Sequence, residues 1–378
     1  MPIAEDHIQR MSLRPLYGFA ELRQRLSESV RGGLLPASLL LQGPRGVGKQ
    51  RLALWLGQLL LCDRATTENL VEPCDTCMQC RYALRLQHPD LHWFFPRPKV
   101  KDSDVDIEDV KEDMRVAIVE RMSANGLWST PSGAEGIPVV ASRALVQMAV
   151  VRPAMAKRAV FVVGDAERMV MQAGTDQAAN AFLKLLEEPP RDTTIVLTSS
   201  EPGALLPTIK SRVVSIRVPL AGRSAVEALL DDPVFAARTL KKSEKRLSRA
   251  EALDLAAGAP GMLLGVESIF AAFATAHRML DAALAPVGPA GAADRLKVAA
   301  KQGAAGARGP FTDALKALTV LLHKHTRDLA LAGHKTAARR AAQGIVSIER
   351  TREKAHGNVS PQLLSASLLA SLHELLSQ

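Results

Sequence analysis

A short glycine-rich stretch constrains the fold of this chain more than any other part of the sequence. Residues 43–50 read GPRGVGKQ, directly after the apolar run Ser38–Gln42 and at the start of a helical pattern from Lys49 to Leu61. A buried strand, a glycine loop and a helix in this order are typical of the phosphate-binding loop G-x-x-x-x-G-K-[ST]. In that loop, backbone N–H groups and the lysine hold phosphates, and the final hydroxyl holds Mg²⁺. The stretch therefore predicts a nucleotide-binding site on an α/β domain.

The loop departs from this pattern at its last position. Gly43, Gly46, Gly48 and Lys49 are present, but Gln50 stands where the hydroxyl is expected. An amide can approach a phosphate, yet it is a poor substitute for a hydroxyl as a ligand to a hard cation. Three alternatives are open at this point: hydrolysis of a nucleotide, binding without hydrolysis, or a fold kept without a ligand.

All four cysteines lie within nineteen residues, and their spacing indicates a metal site. Cys62, Cys74, Cys77 and Cys80 form the pattern C-x11-C-x2-C-x2-C. Two overlapping C-x2-C steps and one remote cysteine can place four thiolates around a tetrahedral Zn²⁺ ion. Disulfides require an oxidising compartment, of which the sequence gives no sign, and the spacing is not that of ferredoxin-type iron–sulfur runs. We expect one structural zinc ion.

Strand and helix patterns alternate along the first 220 residues. Strand patterns occur at 38–42, in PDLHWFFP, and at 159–163, 193–198 and 213–218, with helical patterns between them that include 142–153 and 177–190. Strands interleaved with helices favour a parallel sheet covered on both faces. Residues 101–141 are acidic and then rich in Gly, Ser and Pro, which predicts an insertion or a long surface loop. From about 220 onwards the pattern is entirely helical.

The composition is typical of a soluble globular protein. Hydrophobic residues make up 47% of the chain, and the mean hydropathy is +0.03. No apolar run approaches the roughly 20 residues of a membrane span, and the N-terminus does not resemble a secretory signal. The net charge of +9 favours an acidic partner, nucleic acid first among them, although a solvated helical surface also accounts for it.

An ordered set of motifs carries a close resemblance to one family. The set is LYGFAELRQRLSESVRGGLLPASLLLQGPRGVGK, the four cysteines, HPDLHWFFP, FVVGDAERM, AANAFLKLLEEPP and LLPTIKSR. It is similar to the bacterial clamp-loader subunits, AAA+ proteins that open the sliding clamp of DNA polymerase III and place it on primed DNA. The motifs cover roughly residues 12–265, and the remainder matches in helical character and length.

The resemblance implies a fold, a domain order and a set of partners. It implies an α/β AAA+ nucleotide-binding-like domain at 1–220 with a zinc module at about 62–80, then a helical lid at 221–270 and an all-α collar at 271–378 for oligomerisation. The implied partners are the motor (tau/gamma) and delta subunits in a hetero-pentamer, the sliding clamp and primed DNA. The implied location is the cytoplasm of a bacterium, at the replisome.

Two positions distinguish between the kinds of subunit in this family. Motor subunits end their Walker B strand in Asp-Glu, where Asp orients Mg²⁺ and Glu positions the attacking water. Aligning FVVGDAERM on that strand puts Gly164 at the Asp position and Asp165 at the Glu position. With Gln50, both protein contacts to the same ion are lost. This pattern resembles the delta-prime subunits and implies weak or absent binding of ATP or ADP, without ATPase activity of the chain's own, inside the DNA polymerase III holoenzyme, a nucleotidyltransferase.

Another motif implies a role at a neighbouring subunit. LPTIKSR ends in Ser211 and Arg212, which match the family's Ser-Arg-Cys with Val213 in place of Cys. In the family this arginine reaches the ATP of a neighbour, where its guanidinium neutralises charge that develops on the γ-phosphate. The alternative is a surface arginine paired with an acid. Thr198 matches the family's sensor-1 position, and residues 15–17 match the segment that borders the adenine pocket.

Three other functions predict features that differ from those of this sequence. An active AAA+ motor, either a clamp-loader subunit or a helicase loader, would turn over ATP alone, against which Gln50 and Gly164 argue. A zinc-ribbon nucleic-acid binder would carry basic and aromatic residues around its cysteines, whereas residues 62–80 hold mainly acids among their charged positions. A small-molecule kinase would need an acceptor pocket and a magnesium ligand.

Overall fold

The computed structural model describes residues 12–65, 67–68, 70–97, 106–128, 135–169, 177–239, 249–303, 308–355 and 359–376. These residues form two units, one that extends to Leu264 and one that begins at Gly265. The first unit contains a β-sheet and the phosphate loop, and the second is helical.

The first unit is built on a parallel sheet. Its strands are β1 (Ser38–Gln42), β2 (Leu91–Phe94), β3 (Ala159–Val163), β4 (Thr193–Ser199) and β5 (Val214–Arg217). They lie in the order β2-β3-β4-β1-β5, and every pair of neighbours is parallel. The expectation of a parallel α/β sheet is confirmed, and all five strands occur where the sequence predicted them.

Helices connect the strands and continue after the last one. They are α1 (Ala20–Arg31), α2 (Lys49–Leu61), α3 (Met78–Leu84), α4 (Ile107–Ser123), α5 (Val139–Ala149), α6 (Gln177–Glu187), α7 (Pro207–Lys210), α8 (Arg223–Asp231), α9 (Pro233–Thr239) and α10 (Arg249–Ala256). Short 3₁₀ turns lie at Ala166–Arg168, Pro202–Ala204 and Pro260–Gly265.

The central strands are buried on both faces. Residues 39–41 of β1, 160–163 of β3 and 195–197 of β4 have no exposed surface. Strands buried on both faces read as continuous apolar runs, which explains why β1 and β3 lack the alternation of a half-exposed sheet. Because the strands are parallel, their carboxyl ends meet at one edge, and the segments that follow β1, β3 and β4 are brought together there.

The expectation of a surface loop is wrong for residues 107–123, which form the helix α4. The Asp106 side chain caps its N-terminus and Asp109 bonds back to the Asp106 N–H, a capping box. The acidic residues that suggested a loop therefore stabilise the first helical turn. One face of α4 is buried in the core of the first unit through Val110, Met114, Ala117 and Met122. Other parts of the 101–141 segment, 101–105 and 129–134, lie outside the described residues.

The second unit contains helices only, in the part of it that is described. They are α11 (Val266–Leu284), α12 (Pro289–Ala300), α13 (Arg308–Leu331), α14 (Lys335–Ala355) and α15 (Pro361–Leu376), with a 3₁₀ turn at Lys301–Gly303. Their shared core includes Met279, Leu318, Leu322, Ile348 and Leu372. The predicted helical character of this region is confirmed. Across all the described residues, none of the helices combines the length and the apolar character that a membrane crossing needs.

The burial of α4 gives a direct test of the fold. Replacing Met114 with Ala should lower the free energy of unfolding by about 2–5 kcal/mol, because its side chain is only 6% exposed in the core. Replacing Val116 with Ala on the same helix should change it by no more than about 0.5 kcal/mol, because Val116 is 44% exposed. Urea denaturation of the full chain measures both. Equal effects of the two changes would show that α4 does not pack in this way.

Candidate functional site

The phosphate loop has the backbone that its glycines predict. Gly46 and Gly48 have φ angles of 80° and 102°, in the left-handed region where a side chain causes strain. A Cβ atom on Gly43 would lie 2.3 Å from the Val218 carbonyl oxygen, so this position also requires glycine. Gly48 is the N-cap of α2, so the free N–H groups of that helix begin at the loop. The loop therefore retains the backbone of an anion-binding site.

Lys49 is bound by the loop itself. Its Nζ donates to the carbonyl oxygens of Gly43 and Pro44, both at 2.9 Å, and to Ser200 Oγ at 2.8 Å. The residue is 5% exposed, and burial lowers the pKa of the ammonium group while the nearby Asp165 and Glu167 carboxylates oppose that shift. All three acceptors are neutral, so a phosphate that entered the loop could replace them with charge-assisted hydrogen bonds.

Gln50 lies between the ends of β2 and β3. Its Nε2 donates to Asp165 Oδ2 at 3.0 Å, and its Oε1 accepts from Trp93 Nε1 at 3.2 Å. Asp165 is 4% exposed and has a φ angle of 50°, and its backbone N–H donates to Thr198 Oγ1 at 3.1 Å. The structure therefore brings Lys49, Gln50, Asp165 and Thr198 together at one edge of the sheet.

Gly164 and Gln50 are sterically coupled. A Cβ atom built on Gly164 would lie 2.4 Å from Gln50 Oε1 and 2.5 Å from its Cδ, closer than real atoms approach. The Gln50 amide therefore occupies the space into which a side chain at position 164 would extend. Position 50 lacks the hydroxyl and position 164 lacks the carboxylate that would hold Mg²⁺, and the Gln50 amide fills the space between these positions. These residues do not fit a magnesium ion.

A cavity of about 160 Å³ adjoins the loop. Leu16 and Tyr17, which the sequence matched to an adenine pocket, line it. Trp128 lines it as well, and its ring centroid is 4.9 Å from the Arg121 guanidinium, which also lies 3.4 Å from the Phe95 ring. Burial lowers the pKa of Arg121 to about 9, although the Asp165 charge opposes the shift. The sequence did not predict this wall of the cavity, formed by Arg121 and Trp128, because both residues lie in or just after α4, where a loop was expected.

The N-terminal side of the cavity is fixed by a buried carboxylate. Asp232 accepts hydrogen bonds from Arg14 Nε at 2.8 Å, from the Tyr17 hydroxyl at 2.9 Å and from the Val234 N–H at 2.9 Å. Burial raises the pKa of Asp232, but the Arg14 and Tyr17 hydrogen bonds outweigh it, so the pKa is lowered overall. Asp232 holds the 14–17 segment beside α9, where Phe235 also lines the cavity. No motif in the sequence pointed to this residue.

The four cysteines converge as their spacing predicted. The Sγ atoms of Cys62, Cys74, Cys77 and Cys80 all lie within 4.8 Å of one another, and none is in a disulfide. Backbone N–H groups donate to Cys62 Sγ at 3.5 Å, to Cys74 Sγ at 3.3 Å and to Cys77 Sγ at 3.4 Å. Burial raises the pKa of Cys74, but hydrogen bonds from Cys77 and Thr76 outweigh it and lower the pKa to about 6. Four converging thiols, three of which accept backbone N–H bonds, fit a metal ion.

A polar cluster ties this cysteine module to the sheet. Asp90, just before β2, is buried and accepts the N–H groups of Ala154, Met155 and Ala156 at 2.6–2.8 Å. The Asp90 N–H donates to His88 Nδ1 at 3.0 Å. Neutral His88 therefore carries its proton on Nε2, 2.6 Å from Gln79 Oε1 in α3. The HPD part of the HPDLHWFFP motif therefore has a structural role.

Ser211 and Arg212 lie at the end of α7 and are not among the residues that line the cavity. Arg212 Nε donates to Glu187 Oε2 at 3.0 Å, and its Nη1 donates to the Thr208 carbonyl oxygen at 3.0 Å. The Arg212 side chain is 30% exposed. Glu187 belongs to the AANAFLKLLEEPP motif. The arginine thus has an exposed acid as its partner within the chain.

A phosphate loop on a five-stranded parallel sheet, followed by a helical unit, defines a P-loop protein of the α/β class. The family model described as "DNA polymerase III, delta subunit" matches residues 19–221, more than half of the chain. The chain therefore belongs to the DNA polymerase III delta-subunit family. This confirms the resemblance to the delta-prime clamp-loader subunits that the motifs indicated.

Curated relatives carry names from the same polymerase. The DNA polymerase III subunit delta' of Pseudomonas aeruginosa is 31% identical over 206 residues, which is 53% of this chain and 50% of that protein. The delta' subunit of Bacillus subtilis is 28% identical over 233 residues, 61% of this chain and 56% of that protein. The gamma/tau subunit of Mycobacterium tuberculosis H37Rv is 28% identical over 201 residues, 53% of this chain and 27% of that protein. The chain spans about half the length of the curated delta' relatives that it matches.

Solved structures resemble the chain more distantly. A gamma-subunit-related protein from Thermotoga maritima has a TM-score of 0.33 and 19% identity, with 94% of this chain and 98% of that chain covered. The RuvB Holliday junction branch migration motor, also from Thermotoga maritima, has a TM-score of 0.35 and 12% identity, with 69% of this chain and 65% of that chain covered. Because these TM-scores are low, the fold is assigned from the parallel sheet and the phosphate loop of this chain alone.

The buried histidines give the first unit a pH-dependent stability. Burial lowers the pKa of His88, against the opposing charges of Asp90 and Asp63, and it lowers the pKa of His92 to about 4. A histidine whose pKa is lowered in the folded state favours folding while neutral, so its contribution is complete above about pH 6.5 and is lost as the pH falls below it.

We expect the urea midpoint of the full chain to fall between pH 7.5 and pH 5, and to fall less in a His88→Gln variant, which cannot titrate. His334→Gln is the matched control, because it makes the same substitution at an exposed position and leaves both buried histidines in place. A metal ion on the cysteines would be common to all three chains and would not alter the comparison. An unchanged pH dependence in His88→Gln would contradict the neutral, hydrogen-bonded His88.

Proposed function

We propose that this chain acts as a delta-prime subunit of the bacterial DNA polymerase III clamp loader and helps to load the sliding clamp onto primed DNA without hydrolysing ATP itself. Membership of the delta-subunit family and the curated delta' relatives support the clamp-loading role. The observation that carries the loss of hydrolysis is the Gln50 amide beside Gly164. The alternative within the family is an active tau/gamma-like motor.

Two features of the site argue against an active tau/gamma-like motor subunit. Mg²⁺ bridges the β- and γ-phosphates in ATP-hydrolysing relatives with this loop and neutralises charge during transfer. Gln50 and Gly164 offer neither of the two expected ligands. Asp165, at the position of the residue that orients water, is bound to the Gln50 amide and, through its N–H, to Thr198. One of its two carboxylate oxygens is therefore already engaged by the Gln50 amide.

Arg212 is the residue that we propose acts on a neighbouring subunit, with Ser211 beside it. Its ion pair with Glu187 is exposed, and such a pair contributes only about 0–1 kcal/mol. The guanidinium can therefore leave Glu187 at little cost when a more highly charged γ-phosphate is presented by a neighbour. There it would stabilise the transferring group as an arginine finger.

The assembly that this role requires is also part of the proposal. We propose a three-part division, with an AAA+ domain at 1–220, a helical lid at 221–270 and a collar at 271–378 that supplies most contacts between subunits. The partners would be the motor and delta subunits in a hetero-pentamer, together with the sliding clamp and primed DNA, in the cytoplasm. The curated gamma/tau relatives support a shared architecture with the motor.

We propose that Cys62, Cys74, Cys77 and Cys80 hold one structural Zn²⁺ ion. When bound, zinc would contribute directly to the folding free energy of the module, since thiolates converge on it only in the folded chain. The cysteines supply four ligands, and Asp90 and Gln79 hold the module against the sheet.

The zinc proposal predicts one ion per chain. Cys77→Ser should lower the zinc content well below one and reduce the melting temperature, because three thiolates and a hydroxyl bind zinc more weakly. Met78→Ser is the matched control, since Met78 is an exposed neighbour that offers no ligand in this cluster. Elemental analysis of protein purified without chelators measures the ratio. A wild-type chain with little zinc, or with two disulfides by mass, would refute the proposal.

The finger proposal predicts an effect at a distance from the chain's own loop. In a clamp loader assembled with motor and delta subunits, Arg212→Ala should slow DNA-dependent ATP hydrolysis while the complex still forms. A finger contributes about 10³–10⁵ in rate at one site, so a loss at one of several motor sites should be visible.

Two comparisons sharpen this test. Lys210→Ala removes a neighbouring exposed cation of α7 and should leave hydrolysis unchanged. Lys49→Ala should have a smaller effect than Arg212→Ala, because the chain's own site does not hydrolyse ATP. If Lys49→Ala stops clamp loading and Arg212→Ala has no effect, the chain is a motor subunit.

A further inference from the structure

The pocket beside the phosphate loop has two sides. On its metal side, the space that a magnesium ion would need is filled, whereas on its phosphate side the groups that could hold an anion are in place. Gln50 fills the metal side through its bonds to Asp165 and Trp93 and its contact with Gly164. On the phosphate side, the left-handed glycines and the N-terminus of α2 keep the geometry that holds an anion. Lys49 Nζ, held there by three neutral acceptors, is the cation that a phosphate in the loop would meet.

We propose that this pocket binds a nucleoside diphosphate as the metal-free anion, with the Gln50 amide in the space that a magnesium ion and its ligands would need. The inference rests on the proposed non-hydrolysing role and adds the ionic form of the ligand. Lys49 and the N–H groups of the loop supply the positive potential that Mg²⁺ supplies in phosphate loops that bind the ion. The cations of the cavity lining, Arg45 among them, add to it.

The charges near the loop favour a diphosphate over a triphosphate. The carboxylates of Asp165 and Glu167 both lie close enough to Lys49 to oppose the lowering of its pKa. A metal-free triphosphate would bring a further negative charge towards these two groups without an ion between them. A diphosphate places fewer charges there and still reaches the loop.

The outer part of the cavity suits a planar base. Leu16, Tyr17, Phe235 and Trp128 line it and offer aliphatic and aromatic surface. Trp128 is held by the Arg121 guanidinium, and Tyr17 is held by its hydrogen bond to Asp232. Both rings are therefore placed before a ligand arrives, which lowers the entropic cost of binding.

Calorimetric titration of the full, metal-loaded chain with ADP tests the proposal. One buffer is freed of divalent ions with a resin, not with a chelator, so that a metal ion on the cysteines stays bound, and the other contains excess Mg²⁺. ADP should bind in the first buffer, and Mg²⁺ should weaken the apparent affinity because it withdraws free ADP. Tighter binding with Mg²⁺, or no binding without it, would overturn the proposal.

Variants at the two coupled positions give the matched comparison. Gly164→Asp alone should lower the melting temperature because its side chain meets Gln50, and adding Gln50→Thr should restore stability. The double variant regains a hydroxyl and a carboxylate, so Mg²⁺ should now tighten ADP binding by about 5–150-fold, the usual range for coupled ligands. Lys49→Ala should remove binding in both buffers. A stable Gly164→Asp chain that gains nothing from Gln50→Thr would contradict the coupling.

The outcomes separate this inference from the proposed function. Mg²⁺-dependent ADP binding without ATP turnover, or an absence of ADP binding, would refute only the metal-free site. Mg²⁺-dependent binding together with ATP turnover by the isolated chain would refute the non-hydrolysing role as well.

Discussion

The contact between the Gln50 amide and the end of β3 determines which groups the phosphate loop of this protein can present to a ligand. Gln50 donates to Asp165, accepts from Trp93 and fills the space beside Gly164. Gln50, Trp93 and the Gly164–Asp165 pair come from three segments of the chain, and the parallel sheet brings these segments together at one edge. The amide therefore converts the magnesium side of a phosphate loop into a packed, hydrogen-bonded junction. The rest of the loop, with Lys49 held by neutral acceptors, keeps the form of an anion site.

The walls around this junction come from segments that are distant in the chain. The N-terminal 14–17 segment is fixed by Asp232, and the Trp128 wall is supported by Arg121 from α4. At the other end of β2, Asp90 holds the loop before β3 and connects through His88 to the cysteine module. Asp232, Asp90 and His88 each have hydrogen-bond partners, as low-dielectric surroundings require. The pocket and the cysteine module thus share the same sheet as their support.

Much of the fold and part of the site could be predicted from local patterns. Apolar runs located the strands, the glycine spacing located the loop, and the C-x2-C steps located the thiol cluster. The steric exclusion between Gln50 and Gly164 could not be predicted, because it depends on a distance between residues 114 positions apart in the chain. The helix α4 was missed because acids that cap a helix resemble those of a loop. The partner of Arg212 was missed because acidic helix ends such as that of Glu187 are common.

Steady-state ATP turnover by the isolated, metal-loaded chain in the presence of Mg²⁺ tests the central conclusion most directly. The Gln50–Gly164 junction predicts a rate at background, and the same rate in a Lys49→Ala variant, because under the proposed function neither chain holds the ion that hydrolysis needs. Turnover above background that Lys49→Ala abolishes would contradict this conclusion and would show that the chain's own site is a working motor.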